Sequence, residues 1–187
     1  LVADSELPEI VSIINSVREI GIDAIIVQDM GLLYVLAKYF PDVEVHASTQ
    51  MTTHNAGQIE FLAKTGVKQV NIARELSLQE ITAICKHAHA AGIKIEVFVH
   101  GAYCISFSGQ CYMSSAMSGE SGNRGLCVQP CRREYFIPEK NTTGAPFNLK
   151  DNSAFSSAAD LVQAGVDAFK IEGRIKNYSY VHTVVSA

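Results

Sequence analysis

Four cysteines fall within one short stretch of this chain, and they are the side chains best suited to chemistry. They are Cys104, Cys111, Cys127 and Cys131, with six, fifteen and three residues between successive members. Four thiolates can complete a tetrahedral zinc site or hold an iron–sulfur cluster. The spacing matches neither a pair of Cys-x2-Cys knuckles nor the usual ferredoxin run. It therefore predicts four ligands of one centre and leaves the metal open.

Two other readings of these cysteines stay open. Two disulfides would require an oxidising compartment, and secreted disulfide frameworks usually carry more cysteine in a shorter chain. A purely structural zinc site is the other alternative. The fifth cysteine, Cys85, lies between Ile81 and Ala88 in a helical pattern, which is typical of an ordinary buried thiol. We expect a reduced, cytoplasmic protein.

The composition is that of a globular protein. Of the 187 residues, 48% are hydrophobic and 18% are charged. Fifteen basic and nineteen acidic residues give a net charge of −4, so the overall charge does not favour nucleic-acid binding. A local basic patch is compatible with this net charge. No apolar run approaches the ~20 residues of a membrane span, and no secretory signal opens the chain. Because the chain starts without Met, we expect a fragment.

Helical and strand-like patterns alternate along the chain, and the helices and strands that they predict must position the cysteines. The periodicity predicts helices over residues 5–20 with Ser5 as the cap, 31–39, 55–65, 77–92 with a Ser77–Glu80 capping box, 153–164, and from 178 onwards. It predicts buried strands over residues 23–28, 43–47, 69–73, 93–100 and 168–172. Residues 101–146 are rich in Gly, Ser, Cys and Pro and predict one long structured loop after the fourth strand.

Repeated βα units imply an α/β fold with a parallel sheet. The strands recur about every 20 to 25 residues, and such equal units favour a TIM-type (β/α) barrel. A closed barrel needs eight strands and about 250 residues, so five units predict an incomplete barrel. We therefore expect residues 1–187 to form one partial barrel domain with a Cys-rich insertion at 101–146. A doubly wound open sheet is the alternative, although no glycine-rich dinucleotide fingerprint follows any strand.

Polar residues follow every predicted strand, at the edge where such folds place their chemistry. We expect them to form a polar pocket beside the cysteines. The candidates for positioning substrate or moving protons are His46, Gln50, Glu96, His100 and Glu172. Two non-catalytic alternatives remain: Glu172 and Arg174 form ion pairs with each other or with neighbouring residues, or Glu96 faces solvent from an alternating strand.

Several cations lie in or after the cysteine segment. The candidates for binding phosphate or carboxylate are Arg124, Arg132, Arg174 and Lys176. The glycine-rich residues 118–125 could also present backbone N–H groups to an anion. The alternative is that the arginines near this stretch pair with Glu120 and Glu134 on the surface.

Five sequence motifs carry a resemblance to a known protein family. They are residues 47–50 (Ala-Ser-Thr-Gln), 73–76 (Ala-Arg-Glu-Leu), 96–114 (from Glu-Val-Phe-Val-His-Gly-Ala-Tyr-Cys to Cys-Tyr-Met-Ser), 123–132 (Asn-Arg-Gly-Leu-Cys-Val-Gln-Pro-Cys-Arg) and 170–176 (Lys-Ile-Glu-Gly-Arg-Ile-Lys). In order and content they resemble the peptidase U32 family over nearly the whole chain. Residues 148–152 look most like the branch that hydroxylates a cytidine in large-subunit ribosomal RNA.

The resemblance implies a barrel-like catalytic domain longer than this chain, whose last five strands are the five predicted here. It implies that Cys104, Cys111, Cys127 and Cys131 hold a 4Fe–4S cluster, with zinc as the alternative. It further implies an RNA partner, and a small carboxylate such as prephenate as co-substrate or oxygen source.

The family label suggests a protease instead, and the residues weigh against it. A cysteine protease needs a nearby His and an orienting group. His100 precedes Cys104 by four positions, but nothing identifies an orienting residue. His-Glu-x-x-His and Gly-x-Ser-x-Gly are both absent. Four clustered cysteines favour redox hydroxylation over hydrolysis. A third possibility is a non-catalytic, metal-stabilised fragment for RNA docking, whose open strand edges favour a homodimer.

Overall fold

The computed structural model describes residues 1–173 and 176–187, in which a parallel sheet is covered by helices on one face. The strands are β1 (Ile25–Val27), β2 (Val45–Ala47), β3 (Gln69–Asn71), β4 (Lys94–Gly101), β5 (Tyr135–Ile137), β6 (Thr142–Gly144), β7 (Asn152–Ser153) and β8 (Ala168–Ile171). The α-helices are α1 (Leu7–Ile20), α2 (Met30–Tyr39), α3 (Ala56–Lys64), α4 (Leu78–Ala90), α5 (Met113–Ser118), α6 (Ala158–Gln163) and α7 (Tyr178–Ser186).

The main sheet contains five parallel strands in chain order. β1, β2, β3 and β4 pair in succession, and β8 pairs with the other side of β4. The order does not reverse, as it would at the switch point of a doubly wound sheet. Within the described ranges, β1 pairs only with β2 and β8 only with β4, so the sheet is open. The fold is mixed α/β, and its sheet is compatible with part of a TIM-like fold.

The two faces of the sheet differ in chemistry. Val27, Ala47, Val70 and Ile95 lie in register across four strands, and all four are buried under the helices. The positions that alternate with this row carry His46, Gln69, Asn71, Glu96 and Lys170 on the opposite face. Successive side chains of a strand point to opposite faces, so the core lies on one side of the sheet. The strands are therefore not buried on both faces as predicted, and Ile26 in β1 is 54% exposed.

Local capping explains where the helices start. At α4, the Ser77 hydroxyl accepts from the Glu80 amide while the Glu80 carboxylate accepts from the Ser77 amide, which confirms the predicted capping box. At α1 the prediction of Ser5 as the cap is wrong. A 3-10 turn over Asp4–Glu6 precedes the helix, and Pro8 lies in its first turn, where a missing N–H costs nothing.

The second half of the chain departs further from the predicted elements. Residues 101–146, predicted as one long loop, contain α5 and the antiparallel hairpin of β5 and β6. The helix predicted over residues 153–164 begins only at Ala158. Asn152 and Ser153 pair instead with Gly101 and His100 as the antiparallel strand β7. A tertiary pairing thus overrides the local helical pattern. None of the helices in the described ranges combines the length and apolar character that crossing a membrane requires.

Candidate active site

A cavity of about 390 Å³ opens where β4 ends, at the carboxyl edge of the sheet. Cys104, Cys111, Cys127 and Cys131 all line it. Around them lie side chains from the ends of three other strands, namely Gln50 after β2, Arg74 after β3 and Glu172 after β8. The volume is in the range of cavities that accept small molecules. The predicted pocket beside the cysteines is therefore present.

The four cysteines are free thiols. Cys104 and Cys127 are exposed, whereas Cys111 and Cys131 are half-buried. Burial raises the pKa of the Cys131 thiol, and the nearby Cys104 and Cys127 push that pKa in the same direction, while Arg132 opposes them. Cys104 and Cys127 therefore lie within electrostatic range of the Cys131 sulfur.

Cys127 has two hydrogen-bond donors aimed at its sulfur. The Ser114 hydroxyl donates to Sγ over 3.6 Å, and the Gln129 amide donates over 3.4 Å. Ser114 is buried, and its own oxygen accepts from the Val128 amide at 3.0 Å, which holds the hydroxyl in place. Donors of this kind stabilise negative charge on a thiolate ligand and tune a bound metal.

The donor set fits a four-thiolate centre in number and type. Soft sulfur ligands are those that zinc and iron–sulfur clusters take. Across residues 1–173 and 176–187, however, no three His, Cys, Asp or Glu side chains come together closely enough to hold a metal ion. The fold brings the four sulfurs into one cavity without assembling them into a ligand set.

A hydrogen-bonded clamp ties the start of the cysteine segment to the loop after β3. The Glu75 carboxylate accepts from the Ser108 amide at 2.9 Å and from the Ser108 hydroxyl at 3.0 Å. Ser108 is only 1% exposed, and its carbonyl accepts from the Thr52 hydroxyl. Gly109 follows with φ of +75°, and a Cβ there would collide with the Gln50 carbonyl. The segment therefore packs on the strand ends through polar contacts and a close backbone approach.

Three of the five predicted catalytic candidates line the cavity. The Gln50 amide donates to the Gly122 carbonyl at 3.4 Å, and the His100 ring lies 5.8 Å from the Tyr180 ring. Glu172 accepts from the Ala102 amide at 2.5 Å. A Cβ at Gly101 would collide with Glu172, so only glycine lets β8 approach β4 this closely. These side chains can orient a ligand and hold or accept a proton.

The other two predicted catalytic candidates lie away from the cavity. His46 lies on β2, and its Nε2 is 2.9 Å from Oε1 of Glu44, the residue before that strand. Glu96 lies four residues before His100 on the same strand, deeper in the sheet, where Lys170 and Asn71 each donate to it at 2.9 Å. Its side chain is 15% exposed, so Glu96 does not face solvent, whereas its predicted catalytic role stays a prediction. Distance along the strand, which periodicity does not reveal, separates this carboxylate from the cavity.

The predicted cations are engaged elsewhere or lie outside the described residues. Arg124 forms an ion pair with Glu6 at 2.5 Å, and Arg132 donates to Asn148 at 2.8 Å and lies 3.5 Å from Asp151. The acidic partners of Arg124 and Arg132 are therefore Glu6 and Asp151, and not Glu120 and Glu134 as in the alternative. The Lys176 ammonium lies 5.2 Å from the Tyr180 ring centre. Arg174 falls outside the described residues, so its predicted roles stay predictions.

Two residues beyond the predicted site residues also contribute to the site. Arg74 lines the cavity, and it shares with Gln50 and Glu172 the position just after a strand, a signal present in the sequence. Ser114 reaches Cys127 only through folding, because the two lie thirteen positions apart in the chain, and no local pattern indicated this contact.

Comparisons with known proteins agree on one family. The sequence profile of peptidase family U32 matches residues 1–187. The 23S rRNA 5-hydroxycytidine C2501 synthase of Escherichia coli is 40% identical over 98% of this chain and 28% of its own length. The tRNA hydroxylation protein P1 of Bacillus subtilis is 35% identical over 92% of this chain and 43% of its own length.

Two further proteins are similar to this chain, one in sequence and one in structure. A protein named collagenase from Porphyromonas gingivalis is 33% identical over 98% of this chain and 47% of its own length. A solved structure of a U32 peptidase superimposes with a TM-score of 0.56 at 16% identity, covering 90% of this chain and 62% of that one. This second likeness supports the fold alone. The chain spans less than half the length of each of these curated relatives.

Proposed function

This chain belongs to peptidase family U32, and on that premise we propose that it is part of an enzyme that hydroxylates a base in RNA. The observation that carries the proposal is the gathering of four free thiols in one cavity at the carboxyl edge of the sheet. Two relatives named for rRNA and tRNA hydroxylation support RNA as the substrate. Hydroxylation is a redox reaction, for which a four-thiolate set is better suited than for hydrolysis.

We propose that Cys104, Cys111, Cys127 and Cys131 hold a 4Fe–4S cluster, with zinc as the alternative. Such a cluster would supply electron transfer next to the bound substrate. The two donors to the Cys127 sulfur support a ligand role, because hydrogen bonds to a thiolate stabilise its charge. Cys85 is buried in α4, away from the cavity lining, and is not part of this set.

The remaining cavity residues bind and orient in this proposal. His100 and Glu172 hold or move protons at the carboxyl edge of the sheet, and Gln50 orients the ligand. The aromatic rings of Phe98 and Tyr103 line the cavity and offer surfaces on which an unstacked base can lie. A small carboxylate such as prephenate serves as co-substrate or oxygen source in the same cavity.

We further propose that the five parallel strands form an arc of a closed eight-stranded barrel in the whole protein. The unreversed strand order and the open edges at β1 and β8 support this arrangement, since barrel strands follow the chain order around the axis. The polar row with His46 and Lys170 would then face the barrel interior. The homodimer anticipated from these edges stays a prediction, as does the cytoplasmic location.

A peptidase is the second candidate function. It is favoured by the family's name and by the relative named collagenase. A peptidase activity that survives the combined substitution of Cys104 and Cys127 by Ser would support this second function.

The experiment that tests the cluster is purification without oxygen, followed by iron and sulfide analysis and an absorption spectrum. We expect about four irons per chain and loss of colour in Cys104→Ser. Cys85→Ala is the matched control, because it removes a thiol outside the cavity and should retain the iron. Colourless protein with stoichiometric zinc and no iron contradicts the proposed cluster.

The experiment that tests the substrate is mass spectrometry of ribosomal and transfer RNA from cells that lack the gene. We expect one hydroxylated base to disappear and to return when the wild-type gene, but not the Cys104→Ser gene, is supplied. If no RNA hydroxylation changes, the RNA assignment fails while family membership stands.

A further inference from the structure

The start of the last helix, α7, combines positive charge with aromatic rings beside the cavity. Residues 173–187 contain two basic residues and no acidic residue, although the whole chain has a net charge of −4. A locally basic segment of this kind attracts nucleic acid. We propose that Tyr178 and Lys176 bind the nucleotide next to the target base in single-stranded RNA, an inference that rests on the proposed function and locates its RNA contact.

Tyr180 holds the start of α7 at the cavity. Its ring lies 5.8 Å from the ring of His100, and His100 lines the cavity. Glu172 also lines the cavity, and α7 begins six positions later at Tyr178. The Asn177 side chain caps the helix by accepting from the Tyr180 amide at 2.9 Å, which fixes the first turn. The residues at the start of α7 therefore lie next to the cavity.

Tyr178 offers an aromatic surface that the packing of the fold does not use. It is 79% exposed. The ring of His182, one helical turn later, lies 5.6 Å from the Tyr178 ring and supports it from one side. Tyr178 and Tyr180 belong to the same turn, so their Cα atoms differ by only about 3 Å along the helix axis. An exposed ring this close to the cavity is a surface on which an unpaired base can stack.

Lys176 supplies a positive charge beside these rings. Its ammonium lies 5.2 Å from the centre of the Tyr180 ring, and the residue is exposed. Attraction to the ring positions the ammonium, whose N–H donors remain open to an anion. A phosphate oxygen at this place accepts a charge-assisted hydrogen bond. The ring of Tyr178 and the cation two positions earlier thus match the base and the phosphate of one nucleotide.

The proposed reaction explains why such a contact is useful. An enzyme that acts on a base must take that base out of its stack and into the site. The cavity of about 390 Å³ is sized for a small molecule, so the neighbouring nucleotide stays outside it. Stacking on Tyr178 compensates for the stacking lost between the two bases. In a duplex the base faces are covered by their neighbours, so the ring selects unpaired RNA.

The test measures how tightly the whole 187-residue chain binds a short, labelled, single-stranded RNA, by fluorescence anisotropy. We expect Tyr178→Ala to weaken RNA binding by roughly tenfold, and Tyr178→Phe, which keeps the ring, to bind as the wild type does. Tyr34→Ala is the matched control, because Tyr34 is 60% exposed on α2 and also lies beside a lysine, Lys38. This control should bind as the wild type does.

A second arm varies the salt concentration and the form of the RNA. Lys176→Gln should weaken binding and reduce the slope of log affinity against log salt by about 0.7, the contribution of one phosphate contact on a single strand. Lys38→Gln, which removes the matched lysine on α2, should leave the slope unchanged. Tyr178→Ala should not change the affinity for a duplex of the same sequence.

The inference is overturned if the wild type does not bind the single strand, if Tyr178→Ala binds it equally well, or if Tyr34→Ala weakens binding as much. A change of oligomeric state in Tyr178→Ala without a change in RNA affinity assigns the ring to a contact between copies of the chain and overturns the inference too. If Tyr178→Ala does not fold, Lys176→Gln decides, and an unchanged salt slope in that variant overturns the inference.

Both arms are independent of catalysis. RNA binding that depends on Tyr178, together with unchanged RNA hydroxylation in cells lacking the gene, removes the proposed function and leaves the RNA contact standing. The opposite pattern, lost RNA hydroxylation without Tyr178-dependent binding, removes this inference alone.

Discussion

The first hundred residues and the cysteine segment, residues 101–146, are held in place by different forces. The first region buries a continuous apolar core in which Leu36, Ile59 and Val70 are fully inaccessible. The cysteine segment instead leaves Phe107 and Tyr112 exposed and buries polar residues such as Ser108. Hydrophobic burial thus supports the sheet, whereas hydrogen bonds hold the segment that carries the four cysteines. The sheet therefore supplies the apolar scaffold on which the polar cysteine segment rests.

The largest expected difference between the regions is in global stability. Ile59→Ala should reduce the free energy of unfolding by about 2–5 kcal/mol, because it leaves a cavity in the packed core. Phe107→Ala should change it by no more than ~0.5 kcal/mol, because that ring is already 51% exposed. Urea unfolding followed by circular dichroism measures both. Equal losses of unfolding free energy in the two variants would contradict the difference between the two regions.

The clamp between Glu75 and Ser108 should show a smaller and local effect. Ser108→Ala removes the hydroxyl bonds to Glu75 and should weaken the attachment of the segment by about 1–3 kcal/mol. We expect faster amide hydrogen exchange in residues 101–112 and unchanged exchange in α3 and β3. Ser106→Ala is the matched control, because the Ser106 hydroxyl is exposed. Faster exchange throughout the sheet would contradict a local clamp.

Ser114 should affect the proposed centre rather than the fold. Ser114→Ala removes a donor to the Cys127 sulfur, so we expect a more negative reduction potential and faster loss of iron to a chelator. Ser114→Thr should restore both, since it retains the hydroxyl. The measurements are a redox titration of the reconstituted protein and the rate of iron release. A potential identical in wild type and Ser114→Ala would exclude this role.

The smallest expected effect is at low pH, where Arg124 joins the cysteine segment to the start of the chain. The Arg124 guanidinium holds the pKa of Glu6 at about 2, below its ordinary 4.5. Since the folded-state pKa is the lower one, this stabilisation is present above about pH 4.5 and is lost as pH falls towards 2. Carbon-detected NMR titration of Glu6 measures it.

The control for this titration is Arg124→Gln, in which the Glu6 pKa should return towards its ordinary range. The acid-induced loss of stability between pH 4.5 and 2 should then be smaller than in the wild type. A Glu6 pKa unchanged by this substitution would show that the ion pair does not form in solution.

Local patterns in the sequence predicted the five parallel strands and most of the helices that flank them, and its motifs identified the family. Helix caps such as Ser77 and buried strands such as that around Val70 depend on neighbours in the chain, so they could be predicted. The parallel sheet followed from the repetition of βα units. The strand-end rule also anticipated a cavity with His100 and Glu172.

Only the tertiary structure decided which charged side chains reach the cavity. It placed Glu96 deeper along β4 than the cavity, gave Arg124 a partner 118 residues away in Glu6, and brought Arg74 to the cavity. It also turned Asn152 and Ser153 into a strand and placed Ser114 against Cys127. These outcomes depend on strand register and on contacts between distant residues, which no local periodicity encodes.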